Sequence, residues 1–262
     1  MGAWRRLGQM TLIGLEALGE LTLLLVRVVR SLFRAPQRRR TVVAQLYHIG
    51  YLSLPVVIMT GLSTGLVLAV QAYMTLSKVS GESMTGAMVN FSLIAELAPV
   101  LAGLMLAGRV GSSVAAEIGT MKVTEQIDAL RVMGTDPVAY LVAPRFLACV
   151  LLMPILTAIC ALVGIYAASL LATGVWKIDP GAYWEKHRQY VDTWDVFTSF
   201  IKALVFGATI SLVACRKGLR TEGGAAGVGS ACTEGVVTAS SLILIGNFVM
   251  TLIFHQLEAV LR

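Results

Sequence analysis

The chain has 262 residues, of which 56% are hydrophobic and 14% charged, with a formal net charge of +6. Soluble domains carry roughly 25% charged residues, so a fully water-facing globular surface is excluded. The basic surplus is accounted for by a membrane surface and needs no nucleic acid.

The length suits one domain. The segment from Leu7 to Phe33 is apolar but carries Glu16, Glu20, Arg27 and Arg30, with leucines at mixed three- and four-residue steps. That pattern predicts one or two amphipathic helices lying in the membrane interface, with a sixth span as the competing reading. No cleavable signal peptide is expected, because Glu16 and Glu20 interrupt the apolar run after Arg5 and Arg6. Residues 1–45 are read as this interfacial region and 46–262 as the transmembrane domain.

A spanning helix needs about 20 mostly apolar residues. Tyr51 to Leu76, Phe146 to Trp176 and Gly235 to Leu257 qualify with no charge; Ser83 to Gly108 holds only Glu96, and Val196 to Cys215 only Lys202. The expectation is an all-α integral membrane protein of about five spans. A barrel would instead show short alternating segments separated by turns. Fifteen of the 21 Lys and Arg fall on the side holding the N-terminus, and Lys78, Lys177, Lys186, Arg188 and Arg262 on the other. This predicts a cytoplasmic N-terminus and a C-terminus on the far side.

Two connections are long. The far-side stretch from Lys177 to Asp195 contains Tyr183, Trp184, Tyr190 and Trp194, as suits a helix resting on headgroups. The cytoplasmic stretch from Val110 to Arg145 is helix-compatible from Ala115 to Met133. Thr124 is the candidate cap, Glu125 and Asp128 favour a helix start, and Gly134 and Pro137 favour a stop. The short cytoplasmic helix between spans 2 and 3 sets Ile127, Leu130 and Met133 against Glu125, Asp128 and Arg131. Those apolar residues pack on the protein's own spans or headgroups, or they dock into an ATPase; spacing leaves both open. The run GGAAGVG from Gly223 lacks a GK[ST] ending and a preceding strand. It is read as a flexible cytoplasmic turn entering the last span.

Cys149, Cys160, Cys215 and Cys232 form no CxxC pair and lie near no histidine at ligand spacing, so free thiols and no metal site are expected. His48, His187 and His255 fall in different loops or span ends, which gives no hydrolytic constellation.

Glu96 lies near the middle of its span, where a carboxylate costs roughly 2.5–3.5 kcal/mol on insertion scales. It is either a structural group bonded within the bundle or a polar group lining a cavity. An apolar replacement there is expected to be cheap for the fold. Lys202 has three readings: snorkelling to the interface, pairing with Glu96, or bonding to Asn247. Gly61 and Gly65 of the first span permit close helix contact, and its other face carries Leu68, Ala72, Thr75 and Leu76, with Gln71 nearby.

The string AGRVGSSVAAEIGTMKVTEQIDALRVMGTDPVAYLVAPR resembles the signature of the MlaE/YrbE family, the permeases of MCE-associated ABC transporters. The likeness extends through QLYHIGYLSLPVVIMTGLSTGLVLAVQAY, SLIAELAPVLAGLMLAGR and GGAAGVGSACTEGVVTASSLILIGNFVMT, from about Gln45 to Thr251. The resemblance implies a homodimeric inner-membrane permease, a separate cytoplasmic ABC ATPase and a periplasmic MCE-domain protein. It also admits a small cytoplasmic accessory protein. The cargo it implies is phospholipid or another hydrophobic lipid such as sterol. It makes the short cytoplasmic helix a coupling helix, with Glu125, Ile127, Asp128, Leu130, Met133 and Gly134 at the ATPase. It places Leu68, Gln71, Ala72, Thr75, Leu76, Glu96, Leu97, Lys202 and Asn247 at a lipid cavity. Two departures stand out. Ala95 replaces the Arg of some members, and Asn247 an Asp often found there. With no Walker motif in the chain, ATP hydrolysis belongs to another subunit, and no cofactor or enzymatic activity is expected. An intramembrane lipid enzyme and a non-transporting scaffold are the competing classes.

Overall fold

The computed structural model describes residues 2–34, 39–79 and 81–261. Within a bilayer the backbone polar groups must be satisfied inside each segment, and the apolar runs accordingly form helices, with no strand among the described residues. In chain order these are α1 (Gly2–Arg34), α2 (Thr41–Val79), α3 (Glu82–Val123), α4 (Gln126–Val132), α5 (Val138–Gly174), α6 (Pro180–Tyr190), α7 (Thr193–Leu219) and α8 (Gly224–Val260). Five of them, α2, α3, α5, α7 and α8, are long and apolar enough to cross a membrane. Each contains most or all of one predicted span.

The helices overrun those spans. The division at residue 45 falls inside α2. The glycine-rich run is not a flexible turn: Gly223 and Gly224 have φ of 84° and 67°, but the chain is helical from Gly224 onward. The second span continues as α3 to Val123. Thr124 does not cap α4; its hydroxyl donates back to the Thr120 carbonyl at 2.8 Å and closes α3. Glu125, at φ 61°, makes the break and occupies the N-cap position. Gly134 does stop α4. At φ 70° its N–H reaches the Arg131 carbonyl, and Thr135 N–H reaches that of Leu130, both at 3.0 Å, which satisfies carbonyls the helix end would orphan.

Three irregularities inside the spans sit beside prolines, while the π-helical turn Ala107–Gly111 has none next to it. Pro55 has no N–H for the Tyr51 carbonyl. Leu54 N–H takes that acceptor instead, tightening Tyr51–Ser53 to a 3₁₀ turn. Pro99 and Pro144 follow the π-helical turns Leu93–Leu97 and Val138–Val142, where the widened turn accommodates the missing bond.

The tightest packing is between α2 and α5. A Cβ on Gly61 or Gly65 would collide with the carbonyls of Cys160 and Gly164, and one on Gly164 would lie 2.9 Å from the Gly61 carbonyl. The small residues of the first span therefore let two backbones touch within one chain. A main core of α3, α5 and α7 residues includes Leu106, Met153, Leu156 and Phe206.

Two peripheral helices are pinned to the bundle. The N-terminal segment is one helix, and its Glu20 accepts from Arg216 (Nη2–Oε2 2.6 Å) and from Arg220 near the end of α7. On the other side α6 does not expose all its aromatics to headgroups. Tyr183 is buried, and a Cβ on Gly86 would meet its ring at 2.8 Å. Its hydroxyl donates to Asn90 Oδ1 at 3.3 Å. Trp184 and Tyr190 remain exposed.

Candidate functional site

A charge inside an apolar bundle survives only with partners, and Glu96 has three. Lys202 Nζ donates to Oε1 at 2.7 Å, Thr251 Oγ1 lies 2.9 Å from Oε1, and Asn247 Nδ2 donates to Oε2 at 2.9 Å. The π turn carries Glu96, α7 supplies Lys202, and α8 supplies Asn247 and Thr251 one turn apart. Glu96 lies fourteen residues from the start of α3, about 21 Å along the axis at 1.5 Å per residue. That depth is inside the hydrocarbon core for a helix crossing near the normal.

The local backbone helps hold the lysine. Pro99 cannot donate to the Ala95 carbonyl one turn back, and Lys202 Nζ donates to that carbonyl at 3.0 Å. A third contact, to Thr251 Oγ1 at 3.0 Å, fills the ammonium's remaining direction. The Lys202 side chain is 2% exposed while that of Glu96 is 35% exposed. The cation is thus sealed inside the protein and the anion faces outward. Lys202 neither snorkels nor bonds to Asn247. Asn247 Oδ1 is buried without a partner among the described residues, and an acceptor left so costs roughly 1–3 kcal/mol.

The other residues assigned to this site divide. Ala72 is buried beside Ala69, Val89 and Leu93, and Leu68 and Leu97 pack against the same cluster. Leu76 is half-buried, while Gln71 and Thr75 are exposed on α2. Gln71 and Thr75 line an open groove with Val67, Val70 and Met74, apart from Glu96. Thr251 and the Ala95 carbonyl belong to the site and were not foreseen. The four-residue step from Asn247 to Thr251 was the available signal.

At the opposite end, α4 is partly built into the bundle. Ile127 is fully buried in the main core, and Leu130 packs against its edge. That removes Ile127 from any docking face. Val132 and Met133 are 89% and 70% exposed, beside the turn at Gly134. Asp128 is held by Lys122 (Nζ–Oδ2 3.0 Å) and Arg131 (Nη1–Oδ1 2.9 Å). The Lys122 hydrogen bond holds its carboxyl below the usual range, against some desolvation and helped by both positive charges. Glu125 is exposed.

Only 11% of the most apolar stretch of α8 is buried within the chain. Ile245, Phe248 and Leu252 project outward, on the helix that brings Asn247 and Thr251 to Glu96.

The family Permease MlaE matches residues 42–253. A probable ABC transporter permease protein of Rickettsia conorii is 44% identical over 95% of this chain and 96% of its own length. A probable ABC transporter permease protein of Synechocystis is 39% identical over 83% of both. The intermembrane phospholipid transport system permease protein MlaE of Haemophilus influenzae is 37% identical over 85% of this chain and 87% of its own. With five apolar helices, a Lys202–Glu96 ion pair among them, and a family match that reaches into all five, this chain belongs to the MlaE permease family of multi-pass membrane proteins.

Proposed function

We propose that this chain is the inner-membrane subunit of an ABC transporter that moves phospholipid, or another hydrophobic lipid, to or from a periplasmic MCE-domain partner. The observation that carries the reading is the outward-facing Glu96 carboxylate, fixed by a sealed Lys202 and set among apolar helices. Such a wall offers acyl chains an apolar surface and a headgroup one polar group, the Glu96 carboxylate. The Haemophilus relative is named for phospholipid transport, which supports the cargo class.

Two copies meet through the uncovered apolar face of α8, so that two Glu96 sites share one cavity. Each carboxylate brings its own Lys202, which lowers the repulsion between them. A separate cytoplasmic ATPase docks on Val132, Met133 and Gly134 of the α4 end, with Leu130 at the edge of the contact and Glu125 and Asp128 flanking it. The MCE partner sits on the side of α6. The N-terminus is cytoplasmic, the C-terminus is on the far side, and α1 lies in the interface.

The test is reconstitution with the ATPase in nanodiscs, measuring lipid transfer to the MCE protein and ATP hydrolysis on one preparation. Transfer that requires ATP and is lost in Glu96→Gln supports the reading. Full transfer without this chain, or ATPase turnover indifferent to it, overturns the reading in favour of a scaffold.

A further inference from the structure

A second polar site lies at the other end of the bundle from α6. A cavity of about 520 Å³ opens between the first turns of α2 and the lower half of α3, lined by Gln45, His48, Leu52, Arg109, Ser113 and Glu117 among others. That volume falls in the range of small-molecule sites, roughly 300–1,000 Å³. Arg109, Ser113 and Glu117 follow at four-residue steps, as do Gln45 and His48 at three, so each helix turns one polar face to the cavity.

The depth of the cavity says what meets it. Leu52 lies 27 residues from the end of α2 at Val79, and Arg109 lies 27 residues from the start of α3 at Glu82. Both are about 40 Å from the far ends of their helices at 1.5 Å per residue. The hydrocarbon core is about 30 Å thick and the bilayer with headgroups about 40–45 Å. A helix crossing near the normal therefore brings this cavity level with the headgroups of the leaflet opposite α6.

Its charge is set by pairing. Arg145 is buried and holds Glu117 Oε1 at 2.7 Å, so that acid is already balanced. Arg109 is steadied by a 2.5 Å hydrogen bond from its Nη1 to Ser53 Oγ, and no acid among the described residues pairs with it. The remaining groups at the cavity are hydrogen-bond donors: the Ser113 hydroxyl, the Gln45 amide and the His48 imidazole. Leu52, Val110 and Val114 supply an apolar wall beside them. A fixed guanidinium with further hydrogen-bond donors suits a phosphate oxygen, and the wall suits the glycerol and first methylenes attached to it.

We propose that this cavity binds the phosphodiester headgroup of a phospholipid from the leaflet opposite α6. The site lies apart from Glu96 and goes beyond the transport reading, needing only that the helices cross a membrane. Arg109 and Ser113 hold the phosphate.

The experiment places the photocrosslinker p-benzoylphenylalanine at Leu52 in the assembled transporter, in nanodiscs of phosphatidylethanolamine and phosphatidylglycerol. Adducts are identified by mass spectrometry. The expected result is a phospholipid adduct that falls roughly ten-fold in Arg109→Gln, the loss of one charge-assisted hydrogen-bonded contact. Millimolar inorganic phosphate should leave the yield unchanged. Because Arg109→Gln also removes the bond to Ser53, His48→Ala with Ser113→Ala serves as a second variant. Both side chains are exposed, and the yield should fall several-fold with the fold intact.

Unchanged yield in both variants overturns the site. Displacement by inorganic phosphate overturns the lipid source and leaves a site for a free anion. Adducts only to the ATPase or to a second copy make the cavity a protein interface and also overturn it. Lipid transfer measured on the same samples separates the two readings: transfer without the adduct condemns this site alone, and the adduct without transfer condemns the transport reading alone.

Discussion

Lys202 and Glu96 form an ion pair of unequal burial: Nζ and Oε1 are 2.7 Å apart, yet the lysine side chain is 2% exposed and the glutamate 35%. The asymmetry decides which partner the fold depends on. Removing one member of a buried pair costs about 3–5 kcal/mol, because the other is stranded. Glu96→Leu strands a sealed ammonium, so the expectation that an apolar residue is cheap at Glu96 does not hold. Lys202→Met leaves a part-exposed carboxylate that keeps its hydrogen bonds from Asn247 and Thr251. Thermal unfolding in detergent should therefore show Glu96→Leu as the less stable single variant. The double variant Glu96→Leu with Lys202→Met should recover most of the loss while remaining inactive in lipid transfer. A double variant no more stable than Glu96→Leu would mean that the pair is not the source of the loss.

The backbone contact of α2 with α5 gives a second prediction. Gly65 leaves no room for a Cβ against the Gly164 carbonyl, whereas Gly108 has nothing within 4 Å of its added Cβ. Gly65→Ala must push the two helices apart, at a cost of roughly 1–3 kcal/mol typical of overpacking. Gly108→Ala gains helix propensity, up to about 1 kcal/mol. Unfolding midpoints should move in opposite directions, and equal shifts would contradict the close contact.

How much of this was legible in the sequence differs from residue to residue. The spans were legible because apolar length is what a bilayer demands, and Gly134 was legible because a positive φ at a helix end favours glycine. The proton donor to the Ala95 carbonyl was not. It requires knowing that Pro99 opens an acceptor and that Lys202, 107 residues further along, arrives at that height. Ile127 and Tyr183 look like surface members of amphipathic helices. Sequence periodicity marks an apolar face without saying what covers it, and here the chain itself covers both.

The α4 end lets folding and the proposed docking be tested separately. Ile127 is fully buried, while Val132 and Met133 are 89% and 70% exposed. Ile127→Asp should lower expression or the unfolding midpoint, since it drives a carboxylate into the core. Val132→Asp with Met133→Asp should leave the permease folded and reduce capture of the ATPase at least ten-fold, about 1.4 kcal/mol of lost contact. ATPase binding by pull-down and permease stability are read on the same samples. Full ATPase binding by the Val132 and Met133 variant would move the docking surface elsewhere.

The latch between α6 and α3 predicts a pH dependence. Tyr183 donates its hydroxyl proton to Asn90 Oδ1 at 3.3 Å, and Asn90 Nδ2 lies 3.2 Å from His187 Nδ1. Burial pushes the phenol up to about 12, so it keeps its proton throughout. With Oδ1 taken by the phenol, the Asn90 amide donates, and His187 Nδ1 must be the unprotonated acceptor. Burial lowers the pKa of His187 from its ordinary value of 6.5, and the charge of Arg188 lowers it further. A depressed folded pKa means that the unfolded state takes up the proton first. The latch's contribution is therefore fully present above about pH 6.5 and is lost as pH falls through the folded value. A protonated Nδ1 would set two donors against each other and release α6. Hydrogen exchange of the peptide covering 180–190 should accelerate as pH is lowered from 7 to 5, after correction for the intrinsic rate. Asn90→Leu should exchange fast at every pH. A wild-type protection factor independent of pH, or a pH response retained in Asn90→Leu, would show that His187 does not control the latch.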